Sequence, residues 1–180
     1  MALYLYHHLL RQPRAFVMRH AAWGPDVSKQ ACRLALENTC VAFTELKPAD
    51  LTNTAAAALT QGKIIGWYEG RMEFGPRALG HRSLLADPRD PHMKKTINLR
   101  IKQRENFRPF APSILTERLS EFFPKGHADP FMLFAYPARP DLAKQIPSVI
   151  HTDGTGRVQA VDPTQNPLYW QLIKAFEVKT

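Results

Sequence analysis

Residues 63–83 read KIIGWYEGRMEFGPRALGHRS, and two different kinds of chain meet inside them. Ile64, Ile65, Trp67 and Tyr68 form a short apolar run between glycines, the pattern of a buried strand. From Gly70 onward that pattern stops. Gly70, Gly75, Pro76 and Gly80 make a poor helix and a poor strand, and Arg71, Arg77 and Arg82 are threaded among them. A stiff, arginine-bearing turn therefore follows directly on a strand.

Phosphate needs several N–H donors in fixed positions, and the planar guanidinium fork supplies two at once without losing its charge. Holding such forks around one anion is easier on stiff backbone, because free side chains lose entropy on binding. Gly75 permits a tight turn, Pro76 fixes the next φ, and Arg77 projects from a defined place. A helix starting near Pro76 would add backbone donors. Spacing alone leaves a second reading open, in which these are loop arginines in weak surface ion pairs.

Two further basic groups lie downstream. IKQRENFRPF carries Lys102, Arg104 and Arg108. Glu105 there suits either a helix-surface ion pair or the orientation of one of these cations. Arg108 precedes Pro109, which biases it to extended backbone and suits aiming a side chain into a cleft. HTDGTGRVQ offers hydroxyl and amide donors near Arg157, and equally reads as a plain hairpin turn. Neither GxGxxG nor GxxxxGK[ST] occurs, so this is not a standard Rossmann or phosphate-loop site.

The rest of the chain reads as intermixed helices and strands, an α/β class with α+β as the variant. Helices are expected over residues 2–11, over SKQACRLALENT with Asp26 or Ser28 as cap, and over the alanine-rich KPADLTNTAAAALTQGK with Gly62 as stop. Another is expected over DPHMKKTINLRIKQRE, capped by Asp90 with Pro91 at its first position and Met93, Ile97 and Ile101 on its buried face. TERLSEFF and NPLYWQLIKAFEVKT complete the helices. Strands are expected at CVAFTEL, KIIGWYEG, FRPFAPSIL, PFMLFAY and the end of IHTDGTGRVQAV.

The 180 residues suit one domain, or one domain with a remnant of another. The formal charge of +8 favours anionic partners. Residues 71–108 hold ten Lys/Arg against four acids, a local excess of six that is most of the total. Two cysteines without CxxC spacing, Cys32 and Cys40, suggest structural thiols in a reducing, cytoplasmic setting. Seven scattered histidines without HExxH spacing argue against a metal site made by this chain alone. No apolar run approaches a membrane span.

Three stretches in order, GWYEGRMEFGPRALGHRSLLADPR, NLRIKQRENFRPFAPSIL and HTDGTGRVQAV, resemble the C-terminal domain of the O-carbamoyltransferases of antibiotic and nodulation-factor biosynthesis. The likeness runs from about Met18 to the end of the chain. It implies a YrdC-like α/β fold, a twisted mixed sheet with flanking helices. It implies that ATP, with Mg²⁺, and carbamoyl phosphate bind here and form carbamoyl-adenylate. Transfer to an acceptor hydroxyl then falls to an N-terminal actin/Hsp70-like domain that carries iron.

The family's anion-binding positions correspond here to Arg77, Lys102, Arg108 and Arg157, with Arg77, Lys102 and Arg108 in the catalytic role. No catalytic nucleophile is implied. His81 stands where the family usually has asparagine. The implied domain plan is a remnant helix of the preceding domain over 1–17, a connector with one helix over 18–50, and the YrdC-like domain over 51–180, lacking its last segment. An alternative is a non-catalytic basic module that holds RNA or a nucleotide. RNA binders spread their cations over a surface beside exposed stacking rings. Here the cations concentrate in three turn-bounded motifs, which favours a small pocket.

Overall fold

The computed structural model describes residues 1–180. The chain opens with a helical turn, α1 (Ala2–Tyr4), that passes into a π-helical stretch over Leu5–Leu9. Next comes α2 (Lys29–Asn38), whose cap is Ser28, its hydroxyl accepting from the Ala31 N–H at 3.2 Å. A cap of this kind stabilises a helix by about 1 kcal/mol. α3 (Pro48–Thr60) starts on a proline and stops before Gly62, which adopts φ +75°.

β1 (Ile65–Tyr68) and β2 (Arg82–Leu85) form an antiparallel pair with Trp67 opposite Ser83. α4 (Met93–Arg100) follows, then β3 (Ser113–Leu115) and, after a 3₁₀ turn, α5 (Leu119–Phe122). β4 (Tyr136–Pro137), α6 (Pro140–Ala143), β5 (Thr155–Gly156) and β6 (Gln159–Val161) lead to the last helix, α7 (Pro167–Lys179). β3 pairs with β6 in parallel, and β4 with β5 antiparallel.

The class is mixed α and β, as expected, with no closed barrel. The strands are distributed over three two-stranded ladders. The main core lies where α3 meets α7. Ala55, Ala56 and Leu59 face Tyr169 and Leu172, with Trp67 and Val161 beneath. Alanines on α3 let the helices approach closely, and the two α7 side chains fill the interface. α7 owes its start to Asn166, whose side-chain oxygen accepts from the Tyr169 N–H at 3.2 Å. A second cluster joins Leu119, Phe123, Tyr136, Val158 and Ala160.

Several local expectations give way to tertiary context. CVAFTEL forms no strand: no neighbouring strand takes its backbone bonds, and Val41, Phe43 and Leu46 are exposed. PFMLFAY is strand only at its end. The Asp129 carboxylate accepts from the N–H groups of Phe131 at 2.8 Å and Leu133 at 2.5 Å, which pulls the segment into a turn. Met132 there sits at φ +54° and is buried, while Leu133 and Phe134 are exposed. β1 buries only Trp67, because its sole partner is β2. α4 begins at Met93 with His92 as cap, since the Asp90 carboxylate accepts from the His92 N–H in a separate turn. Ile101 is exposed. No helix begins at Pro76.

Candidate anion-binding cavity

The arginine-bearing stretch is the loop of the β1–β2 hairpin, residues 69–81, and a buried acid shapes it. Glu73 Oε1 accepts from the backbone N–H groups of Leu79 and His81, both at 2.7 Å, and of Arg82 at 3.2 Å. Burial pushes the Glu73 carboxyl up, but these donors together hold it below the usual carboxylate range. Three amides gathered on one oxygen curl residues 73–82 into a compact loop. Gly80 completes the curl at φ +97°, packed so closely on the Tyr169 ring that a Cβ would meet it at 2.3 Å. The loop is tied to the strands by Gln159, which donates to the Leu79 carbonyl at 2.8 Å and accepts from the Ser113 hydroxyl at 2.8 Å.

Against this loop lies a cavity of about 350 Å³, in the range of small-molecule sites. Its basic lining comes from all three motifs: Arg77, then Lys102 and Arg104, then Arg157, with Lys94 of α4 beside them. Its apolar lining includes Met93, Ile97, Phe110 and Phe176. The one carboxylate in the lining, Asp87, is already held by Arg89 in a two-bond pair, the shorter contact 2.6 Å.

Arg77 and Arg157 therefore face the cavity without a counter-charge. Each has a buried Nε with no hydrogen-bond partner. Burial lowers the pKa of Arg157, and the nearby charge of Arg77 lowers it further. Two guanidinium groups that repel each other inside a cleft, with donors unpaired, are a site prepared for an anion.

The Lys102–Arg108 segment is ordered by Asn98, which is fully buried. Its amide donates to the carbonyls of Asn106 at 3.3 Å and Arg108 at 2.9 Å, and its oxygen accepts from Arg104 Nε at 2.7 Å. Gln103, at φ +47°, turns the chain between Lys102 and Arg104. Of the four expected residues, Arg77, Lys102 and Arg157 thus line one cavity. Arg108 does not: it is exposed and pairs with Glu105 at 3.5 Å.

His81 lies outside the cavity and ties the hairpin to α7, donating from Nδ1 to the Glu69 carbonyl at 2.9 Å, with Nε2 3.4 Å from the Asn166 amide nitrogen. Glu73, Asn98 and Gln159 escaped the sequence reading. Gln159 stands between buried Val158 and Ala160, and Asn98 beside buried Ile97, which was the available signal; Glu73, between half-buried Met72 and exposed Phe74, carries none. Both cysteines are exposed and free, and no helix is long and apolar enough to cross a membrane.

A family model described as Carbamoyltransferase C-terminus matches residues 56–180. The chain is 44% identical to the nodulation protein NolO of Bradyrhizobium diazoefficiens over 88% of its own length and 30% of that protein's. It is 42% identical to the nodulation protein NolNO of Sinorhizobium fredii, over 91% of this chain and 25% of that one. Against the 3'-hydroxymethylcephem-O-carbamoyltransferase of Amycolatopsis lactamdurans the identity is 40%, over 67% of this chain and 23% of that protein. The chain thus spans about a third or less of the length of these curated relatives.

Proposed function

The chain belongs to the carbamoyltransferase C-terminus family, and from that premise we propose that its cavity takes ATP and carbamoyl phosphate and forms carbamoyl-adenylate. A domain outside this chain, of the actin/Hsp70-like type, would pass the carbamoyl group to an acceptor hydroxyl. Carbamoyl phosphate loses its phosphate to water. An oxygen of the resulting carbamate displaces pyrophosphate from the α-phosphorus of the nucleotide. The observation that carries this reading is the uncompensated pair of guanidinium groups, Arg77 and Arg157, at one cleft with Lys102.

An adenylation passes through a transition state with charge spread over phosphoryl oxygens, so fixed cations do most of the work and no nucleophile is needed. Arg77 and Arg157 hold phosphate or carbamoyl oxygens from two sides, and Lys102 acts as a point charge. Arg108 reaches the ligand only on leaving Glu105. Asp87 is committed to Arg89, so Mg²⁺ would be held by the phosphate oxygens it arrives with. Gathering the free cations in one cavity favours a small anion over an RNA strand.

Calorimetric titration of Mg-ATP and then carbamoyl phosphate tests the reading, beside Arg77→Ala. Saturable binding by the wild-type chain, lost in the variant, supports it. Pyrophosphate release that requires both substrates supports the chemistry. Failure of the folded wild-type chain to bind either one overturns it.

A further inference from the structure

Glu73, the acid that curls the Arg77 loop, is bracketed by a segment far away in sequence. The Phe74 N–H donates to the Ala21 carbonyl at 2.7 Å, and the Gly24 N–H donates to the Met72 carbonyl at 2.9 Å. Residues 20–24 thus run along the loop and bond to it on both sides of Glu73. Ala21 and Ala22 are buried, and Ala21 packs with Leu79 and Met132. Gly24 lies so close to Met72 that a Cβ would meet the Met72 carbonyl oxygen at 2.8 Å. Trp23 fixes the segment's own shape: its Nε1 donates to the His20 carbonyl at 3.0 Å, and its ring centroid is 4.8 Å from that of His20.

A second, smaller cavity of about 30 Å³ lies where the segment meets the loop, and His20 and Glu73 both line it. Glu73 is 7% exposed. Its Oε1 takes three loop amides, but its Oε2 is buried with no partner. His20 Nδ1 is buried and unpartnered too. Leaving such atoms dry costs free energy, and a polar cavity needs only about 10–15 Å³ to hold a water.

We infer that residues 20–24 are a positioning strap for the Arg77 loop, and that a water held between His20 Nδ1 and Glu73 Oε2 joins the strap to the acid that shapes the loop. None of these residues lines the larger cavity, so the strap acts on a ligand there only through the loop. The inference rests on the proposed function in that the larger cavity must bind an anion through Arg77. Such coupling is reciprocal: an anion that favours the strapped loop must also tighten the strap.

The test is calorimetry with inorganic pyrophosphate, a product of the proposed reaction, on the full 180-residue chain. Gly24→Ala drives the strap off Met72 without touching the larger cavity. Gly126→Ala is its control, because a Cβ there crowds the Phe123 carbonyl at 3.0 Å, in the second core. Gly24→Ala is expected to weaken binding roughly tenfold, through lost preorganisation of Arg77. Gly126→Ala should bind like wild type even where its melting temperature falls. His20→Phe keeps a ring against Trp23 but not the polar atom, and should lose roughly threefold or more. His20→Asn, which returns a polar atom near the Nδ1 position, should recover the loss. Pyrophosphate should slow amide exchange at Gly24 and Phe74 more than at Arg139, whose N–H bonds the Phe122 carbonyl outside both cavities.

Binding by Gly24→Ala within about threefold of wild type, with Arg77→Gln weakened, overturns this inference and leaves the cavity reading intact. So does an equal loss in Gly126→Ala, which would make the effect one of general stability. If Gly24→Ala fails to fold, the His20 variants carry the comparison, and equal binding by His20→Phe and wild type overturns the inference. No binding by the folded wild-type chain overturns the cavity reading and the strap's role with it.

Discussion

Glu73 Oε1 lies 2.7 Å from the backbone nitrogen of Leu79, and the same oxygen takes the amides of His81 and Arg82. One buried carboxylate thus holds together the loop that carries Arg77. The loop's shape, and with it the aim of that arginine, depends on a residue that never faces the cavity.

Replacing this acid should be costly. Glu73→Ala strands three amides and is expected to destabilise the chain by about 2–4 kcal/mol. Glu73→Gln keeps one acceptor and should cost about 1–2 kcal/mol. The pH dependence has a definite sign. The folded carboxyl is held below its ordinary value, so its contribution is present above the unfolded carboxylate pKa of about 4.3 and is lost as pH falls through the folded value. Denaturant midpoints should show wild type and Glu73→Gln converging toward acid. Parallel curves down to about pH 3 would rule the assignment out.

Tyr169 supplies an alkaline counterpart. Burial raises its phenol to about 12 from the ordinary value of 10. The unfolded chain gives up this proton first, so the contribution is intact below about pH 10 and is lost as pH rises toward 12. Two units correspond to about 3 kcal/mol. Tyr169→Phe should remove this part of the alkaline fall in stability. Ultraviolet titration of the folded wild-type chain should show one phenolate absent until about pH 12.

Gly80 tests the packing of the loop on α7. Its φ of +97° disfavours any side chain, and a Cβ would meet Tyr169 Cδ1 at 2.3 Å. Gly80→Ala is expected to cost about 3 kcal/mol or more, lowering the melting temperature by roughly 6–12 °C. Gly62→Ala, also at positive φ but in open space, should cost clearly less. Equal losses would show that backbone conformation alone matters.

The facing guanidinium groups predict a trade between stability and binding. Arg157→Leu relieves the repulsion with Arg77 and removes a buried unpaired Nε. Its ligand-free melting temperature should equal or exceed that of wild type. Pyrophosphate at about a hundred times Kd should stabilise wild type by about 2.7 kcal/mol, a shift of roughly 5–11 °C, and leave Arg157→Leu nearly unmoved. A variant that melts much lower without ligand would mean Arg157 is structural.

Much of the architecture was legible from local chemistry. Pro48 and Gly62 bracket α3, Asn166 and Pro167 start α7, and the apolar run ending at Tyr68 becomes β1. These signals are short-range: caps, fixed φ values and side-chain periodicity act within a few residues. The cations that gather at the cavity were visible too, because Arg77, Lys102, Arg104 and Arg157 sit in turn-bounded motifs.

Long-range contacts settled the remainder. CVAFTEL has the composition of a strand but no partner to pair with, and PFMLFAY loses its strand to the Asp129 carboxylate. Whether Arg104 or Arg108 enters the cavity turns on the Asn98 amide and the left-handed step at Gln103, neither of which has a signature in spacing. Gln159 reaches Leu79 across 80 positions of chain. A hydrogen bond of that span exists only once the strands and helices have packed. Composition and periodicity could therefore name the cations, while their common focus came from buried polar residues whose partners lie far away in sequence.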